Sequence, residues 1–229
     1  MREGGMNMSD KARQRVHLIL GIIATLVVLR TILVWDGQPP IYFFFTTQTN
    51  LLVALYWLWA GLGFESKLPK TTAWLAGAVT TYITITMAVY LATLHKTFYY
   101  MMKNQLVVGN MTQWQYFVEC FMNYMLHIFI PILIIADYIF LTPGGKKVRP
   151  YQWLIYPILY GAFHTIYGMQ SWRYIYPFIN PFLSGGWGAV ARNGVIVFVL
   201  FALIGYGLYA LNQVVNRRRQ RKAEEKKAA

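Results

Sequence analysis

The sequence predicts an all-α fold: a polytopic membrane protein, a bundle of six transmembrane helices with both termini cytoplasmic. Three observations carry that prediction. The 229 residues are 57% apolar and 17% aromatic with only 13% charged, too few polar side chains to cover a water-soluble globule. The apolar residues gather into six runs of about 20, the length an α-helix needs to cross a hydrocarbon layer roughly 30 Å thick. The basic residues then fall almost entirely into alternate connections, as they do when Lys and Arg are retained in the cytoplasm.

The first run, Val16–Trp35, follows Lys11, Arg13 and Arg15. It has no small-x-small site before Asp36 and further spans follow it, so it reads as a retained helix and not a secretory leader. The second, Thr47–Phe64, is led in by Pro39-Pro40 and Phe43–Phe45. The remaining runs are Thr72–His95, Tyr116–Leu141, Trp153–Gln170 and Ala189–Val215, each bounded by charge, Pro/Gly or an aromatic cluster. Stretches such as Leu18–Val28 and Val195–Ile204 do not alternate apolar with polar, which excludes barrel strands. With no internal repeat, residues 1–215 read as a single membrane domain and 216–229 as a basic cytoplasmic tail.

The net charge of +13 invites a nucleic-acid reading, and its placement argues against one. Arg2, Lys11, Arg13 and Arg15 precede the first run, Lys67 and Lys70 follow the second, and Lys146, Lys147 and Arg149 follow the fourth. Seven more basic residues from Arg217 to Lys227 follow the sixth, sixteen in all on one side, against Lys96, Lys103 and Arg173 in the other loops. The tail is an orientation signal that also attracts anionic lipid. The expected partners are therefore the membrane and a lipid substrate, with no nucleic acid, and the expected location is a multi-pass one in the cell membrane. The one cysteine, Cys120, falls inside the fourth run and permits no intramolecular disulfide.

Polar side chains inside a bilayer cost free energy, about 2.5–3.5 kcal/mol for a central charge on insertion scales, so each needs a reason. In the fourth run Glu119, Asn123 and His127 recur at steps of four with Asp137 beyond, an arc of about 80° on an ideal helix. Such a stripe faces the bundle interior or a cavity. The second run opens with Thr46-Thr47-Gln48-Thr49-Asn50, more hydrogen-bonding residues than one helix cap requires. These residues lie within ~6 Å of the outer end, and His127 ~16 Å below Tyr116, so both fall in the outer half. Arg30, His95, His164 and Arg192-Asn193 belong at mid-depth or to that half as well. Arg30 and Arg192 either snorkel to the interface or pair with Glu119 or a lipid head group.

The histidines His17, His95, His127 and His164 sit in different runs without metal-ligand spacing, and no soluble-enzyme fingerprint is present, so neither metal nor cofactor is expected. An imidazole beside a hydroxyl in a low-dielectric site can take the hydroxyl proton as it attacks an acyl carbonyl, then protonate the leaving alkoxide. Amides of Asn50, Asn123 or Gln48 would hydrogen-bond the oxyanion. Thr with His therefore suits an ester or acyl-transfer reaction on a lipid, with Glu119, His164, Arg30 and Arg192 as further substrate contacts.

Three motifs in order extend that reading. Phe44-Phe45-Thr46-Thr47-Gln48-Thr49-Asn50-Leu51-Leu52, then Asn123-Tyr124-Met125-Leu126-His127 with Pro131 and Asp137, then Tyr174-Ile175-Tyr176-Pro177-Phe178 resemble the androgen-induced and androgen-dependent membrane hydrolases and their bacterial relatives over nearly the whole chain. The resemblance implies an intramembrane threonine hydrolase of fatty acid esters of hydroxy fatty acids, with Thr46 or Thr47 as nucleophile and His127 as base. The Thr-Gln-Thr-Asn stretch is more similar to bacterial members than to animal ones, which implies a bacterial plasma membrane and a substrate that differs. The competing class is a non-catalytic lipid-binding protein or transporter, for which Asp137 and the threonines Thr80, Thr81, Thr84 and Thr86 would supply a polar route. Against a transporter, there are no repeated halves.

Overall fold

The computed structural model of the chain describes residues 8–35, 37, 39–142 and 148–228; Arg2, Asp36, Lys146 and Lys147 lie outside the described residues, as do the side chains of Lys226 and Lys227. Among the described residues the protein is helical throughout, with no strand. Six long helices form: α1 (Met8–Val34), α2 (Phe45–Gly61), α3 (Pro69–Val107), α4 (Gln113–Leu141), α5 (Ile155–Ser171) and α6 (Trp187–Ala228). Four helical stretches are long and apolar enough to cross a membrane, namely Asp10–Val34, Pro69–Val107, Gln113–Leu141 and Trp187–Lys222. The 17-residue α2 and α5 sit at the short limit for a span.

Successive helices run antiparallel. The start of α1 meets the end of α4 where Arg13 donates to the Leu141 carbonyl, and its far end meets the start of α4 at the Arg30–Glu119 ion pair. Both described chain ends therefore lie at one end of the bundle, the terminal end, and Arg30 and Glu119 lie toward the opposite, distal end.

Small residues let α1 and α2 close to backbone contact. A Cβ on Gly21 would stand 2.8 Å from the Leu58 nitrogen, and one on Gly61 would stand 2.6 Å from the Leu18 nitrogen. Without lipid-versus-protein hydrophobic contrast, such close backbone packing is what holds helices together in a membrane. α3 occupies the middle: every residue from Ala76 to Ile83 is buried, and the Trp153 ring lies where a Cβ on Gly77 would go. A helix buried all round carries no lipid-facing stripe. Its threonines turn inward on their own backbone, with Thr80, Thr81, Thr84 and Thr86 donating to the carbonyls of Ala76, Gly77, Thr80 and Tyr82 at 2.7, 2.8, 2.6 and 3.3 Å. Each of these hydroxyls donates four residues back along its own helix.

α4 starts on a capping box in which the Thr112 hydroxyl accepts from the Gln115 N–H and the Gln115 side chain accepts from the Thr112 N–H. It is interrupted by wide π turns at Met125–Phe129 and Asp137–Leu141, and α3 has one at Tyr90–Leu94. Each π turn adds a residue to a turn and so rotates the helix beyond it. The four polar residues of α4 are divided between two neighbours: Glu119 and Asp137 turn to α1, and Asn123 and His127 turn to α3.

At the terminal end Asp137 is 3% exposed and is held from both sides, by His17 Nε2 at 2.9 Å and by the Trp57 indole N–H at 3.1 Å. The π turn also frees carbonyls at the end of α4, which Asn212 takes up at Tyr138 (2.6 Å) and Thr142 (3.2 Å) and Asn216 at Thr142 (3.3 Å). Arg219 donates to the Phe140 carbonyl. α6 runs without a break through residue 215, so the first turns of the basic tail are helix docked against α4.

Candidate functional site

The helix α2 begins at Phe45, with Phe44 as its N-cap and no side-chain cap from Thr46 or Thr47. The exposed first N–H is served from far along the chain: Phe45 donates to the Tyr176 hydroxyl at 3.0 Å. Tyr160 of α5 donates to the Phe43 carbonyl at 2.7 Å and lies 3.3 Å from the Tyr176 hydroxyl. Gln48 is bound on both sides, donating to the Tyr42 carbonyl (2.9 Å) and accepting from the Tyr156 hydroxyl (2.6 Å). The threonine-rich start of α2 is thus fixed by a tyrosine scaffold that sequence reading did not single out. The only signal was the Tyr174-Ile175-Tyr176-Pro177-Phe178 motif, which gave no hint of its partner.

Asn50, wholly buried, spends both amide hydrogens on carbonyls, those of Thr46 (2.8 Å) and Leu126 (3.0 Å). It clamps the first turn of α2 to the π turn of α4 that carries His127. Both N–H groups of Asn50 are thus occupied, while its Oδ1 has no hydrogen-bond partner among the described residues. His127 bonds through Nδ1 to the Asn123 carbonyl at 2.9 Å and stacks on the Tyr90 ring with 4.2 Å between centroids. The Tyr90 hydroxyl accepts from Asn123 Nδ2 at 2.5 Å and lies 3.2 Å from His95 Nδ1. Two π turns therefore meet here, one bringing Tyr90 and the other His127, a local irregularity of the kind that gathers at working sites. An Nδ1–H held by a backbone carbonyl fixes the tautomer with its lone pair on Nε2, the state a general base requires. Neither the Thr46 nor the Thr47 hydroxyl is hydrogen-bonded to this ring.

Thr46 faces a different space. It lines a cavity of about 330 Å³ between α2, α3, α5 and α6 that is also lined by Thr86, Tyr160, His164, Tyr176 and Asn193. The remaining wall is apolar, Phe45, Ile85, Val197 and Phe201 among it. Thr47 is 3% exposed and packs inside. Thr49 is tied to Thr86 at 3.1 Å.

The other residues singled out in sequence fall elsewhere. Arg30 meets both carboxylate oxygens of Glu119, so these two satisfy each other and neither lines the cavity. Arg192 is exposed, while its neighbour Asn193 turns inward, lines the cavity and donates to the Phe178 carbonyl at 3.0 Å. Cys120 is a buried free thiol. Among the described residues no three His, Cys, Asp or Glu side chains converge as a metal site would need.

Comparison of the chain with protein families, curated proteins and solved structures finds no match.

Proposed function

We propose that this chain is an intramembrane ester hydrolase or acyl transferase acting on a lipid ester, with the hydroxyl of Thr46 or Thr47 as nucleophile and His127 as base. The observation that carries the proposal is the Asn50 clamp, a single buried amide bonded to the Thr46 and Leu126 carbonyls, which holds the threonine turn beside the histidine turn. The tautomer set on His127 and the cavity at Thr46 support it, as does the resemblance of the three sequence motifs to the androgen-induced and androgen-dependent membrane hydrolases.

In this reading His127 Nε2 takes the threonine proton as Oγ attacks the ester carbonyl. The C–O bond to the alcohol breaks, the imidazolium protonates the departing alkoxide, and water or a second lipid alcohol then receives the acyl group from the threonine. Asn123, with one amide hydrogen on Tyr90, and Gln48, with one on the Tyr42 carbonyl, each keep a second amide hydrogen to stabilise the oxyanion.

The same proposal places all six helices across the membrane with the termini cytoplasmic. α2 is surrounded by α1, α3 and α4 and does not have to match the lipid thickness by itself, and the turn Pro150–Leu154 adds five helical residues ahead of α5. In this reading the protein lies in the cell membrane with the basic residues of the terminal end on the cytoplasmic side.

The second reading, a lipid-binding protein without chemistry, is favoured by the absence of a hydrogen bond between either threonine and His127. Purified protein incubated with a panel of lipid esters and a hydroxyl-directed fluorophosphonate separates the two. Labelling that disappears in Thr46→Ala or in Thr47→Ala, with turnover reduced about 10²–10⁴-fold in His127→Ala, is the expected result. Labelling that survives both threonine substitutions rejects the nucleophile and leaves the binding reading.

A further inference from the structure

The ring and the hydroxyl of Tyr90 serve different residues. The ring is 1% exposed and stacks on His127 with an interplanar angle of 22°. The hydroxyl accepts from Asn123 Nδ2 and stands 3.2 Å from His95 Nδ1. Asn123 in turn holds the His127 ring through its own backbone carbonyl. One phenol therefore meets the imidazole proposed as base and one of the two amides proposed for the oxyanion, and connects both to a third group, His95.

The local backbone makes that connection. Residues five apart on a regular α-helix point about 140° away from each other. The π turn at Tyr90–Leu94 closes the His95 N–H on the Tyr90 carbonyl, one residue farther than an α turn would, and so brings the two side chains together. Their rings meet edge to face with 5.5 Å between centroids. His95 is half-buried, and Lys96 beside it is exposed at the distal end.

A phenol gives one hydrogen and, in the plane of its ring, has one place left to receive another. Asn123 fills that place, so the phenol hydrogen goes to His95 Nδ1, which requires a neutral ring with its proton on Nε2. Histidine is the side chain that ordinarily gains a proton between about pH 5 and 8. A proton on Nδ1 would make the ring a donor, and the phenol would then face two donors with one place to receive them. The Asn123 amide resolves the conflict by turning over, its Oδ1 accepting the phenol hydrogen. Both amide hydrogens then leave the side on which Nδ2 stood.

The titratable groups against the His95 ring are Tyr90 and Tyr99 of α3 and Tyr124 of α4. Cys120 and Glu119 lie one turn from Tyr124 and Asn123 on α4, and Glu119 is paired with Arg30 of α1. Among the described residues no carboxylate pairs with His95 to hold a proton on it.

We infer that His95 regulates the site through Tyr90: the neutral ring keeps Asn123 turned as a donor, and the protonated ring withdraws that donor. The inference rests on the reading of Asn123 as an oxyanion amide. It makes Tyr90 a positioning residue and His95 a sensor of pH at the distal end of the bundle.

The test is NMR of the side-chain nitrogens of asparagine and histidine in full-length protein in nanodiscs, recorded over about pH 5–8. The Asn123 amide resonance, assigned by its loss in Asn123→Ala, should move in step with the His95 ring. His95→Gln supplies an acceptor that gains no proton, and Tyr90→Phe keeps the stack on His127 and removes the hydroxyl, so in both variants the Asn123 resonance should hold still. Fluorophosphonate labelling at the acid end should be about tenfold faster in His95→Gln than in the wild type. An Asn123 resonance that stays fixed while His95 titrates, or that still moves in folded His95→Gln, overturns the inference. Coupled resonances in a protein that neither labels nor turns over an ester reject the proposed function and keep the His95–Tyr90–Asn123 switch. Labelling with uncoupled resonances keeps the proposed function and rejects the switch.

Discussion

Tyr176 serves α2 as a cap although it lies 131 residues away in the chain from Phe45. Removing the hydroxyl leaves the Phe45 N–H without its acceptor, while Tyr160 keeps the Phe43 carbonyl, so Tyr176→Phe should lower stability by about 1–3 kcal/mol in a thermal melt. Tyr151→Phe, whose hydroxyl only meets Arg149 at the surface, should leave the melt unchanged. At the terminal end, Glu65 pairs with Arg13 at 2.9 Å, yet its carboxyl pKa stands above the ordinary 4.5 because burial outweighs the pull of the arginine. A carboxyl whose folded pKa is raised stabilises the fold while protonated and loses that contribution as pH climbs through the raised value. The melting temperature should therefore contain a component that falls as pH rises above the usual carboxylate range, and Glu65→Gln should flatten it. A pH profile unchanged by Glu65→Gln would show that some other group carries the dependence.

At the scale of the helix, contact distance is what sequence reading could not supply. The Gly21 and Gly61 approaches leave no space for a side chain, and Gly61→Val should cost about 1–3 kcal/mol through overpacking against Leu18, measured as loss of the folded fraction in detergent. Gly207→Val, at a position with nothing within 4 Å, is the control and should be tolerated. α5 ends where Trp172 adopts a left-handed conformation at φ 59°, turning the chain so that the Tyr174 ring lies where a Gly168 Cβ would be, 2.3 Å away. Gly168→Ala should push that turn outward and, through Tyr176, loosen the α2 cap, so its loss of stability should be non-additive with that of Tyr176→Phe. Strict additivity would separate the two features.

For the molecule as a whole, six spans and four make different predictions for the connection between α2 and α3. With Cys120 replaced by alanine, a single cysteine at Ser66 should react with a membrane-impermeant maleimide from the same face as one placed at Gln220. Cysteines at Asn110 and Arg173 should react from the opposite face. Labelling at position 66 from the face opposite to position 220, with position 110 reacting from the face of position 220, would mean that α2 does not cross.

The sequence by itself determined the helical class and the apolar centre of each long helix, because these depend on run length and apolar content; it missed the polar extensions, α1 starting eight residues earlier and α3 and α6 running 12 and 13 residues farther than the apolar runs. It also pointed to the threonine turn and to His127. It did not reveal that Asn50 is spent on two carbonyls, that Arg30 and Glu119 satisfy each other, or that Tyr160 and Tyr176 frame the start of α2. Periodicity puts Glu119, Asn123, His127 and Asp137 in one arc, but it does not say that the arc is divided between two neighbours, Asn123 and His127 turning to α3 and Glu119 and Asp137 to α1. Which polar group finds a partner within the protein, and which, as with His164, finds none, depends on distances between helices, and those are decided only when the whole bundle packs.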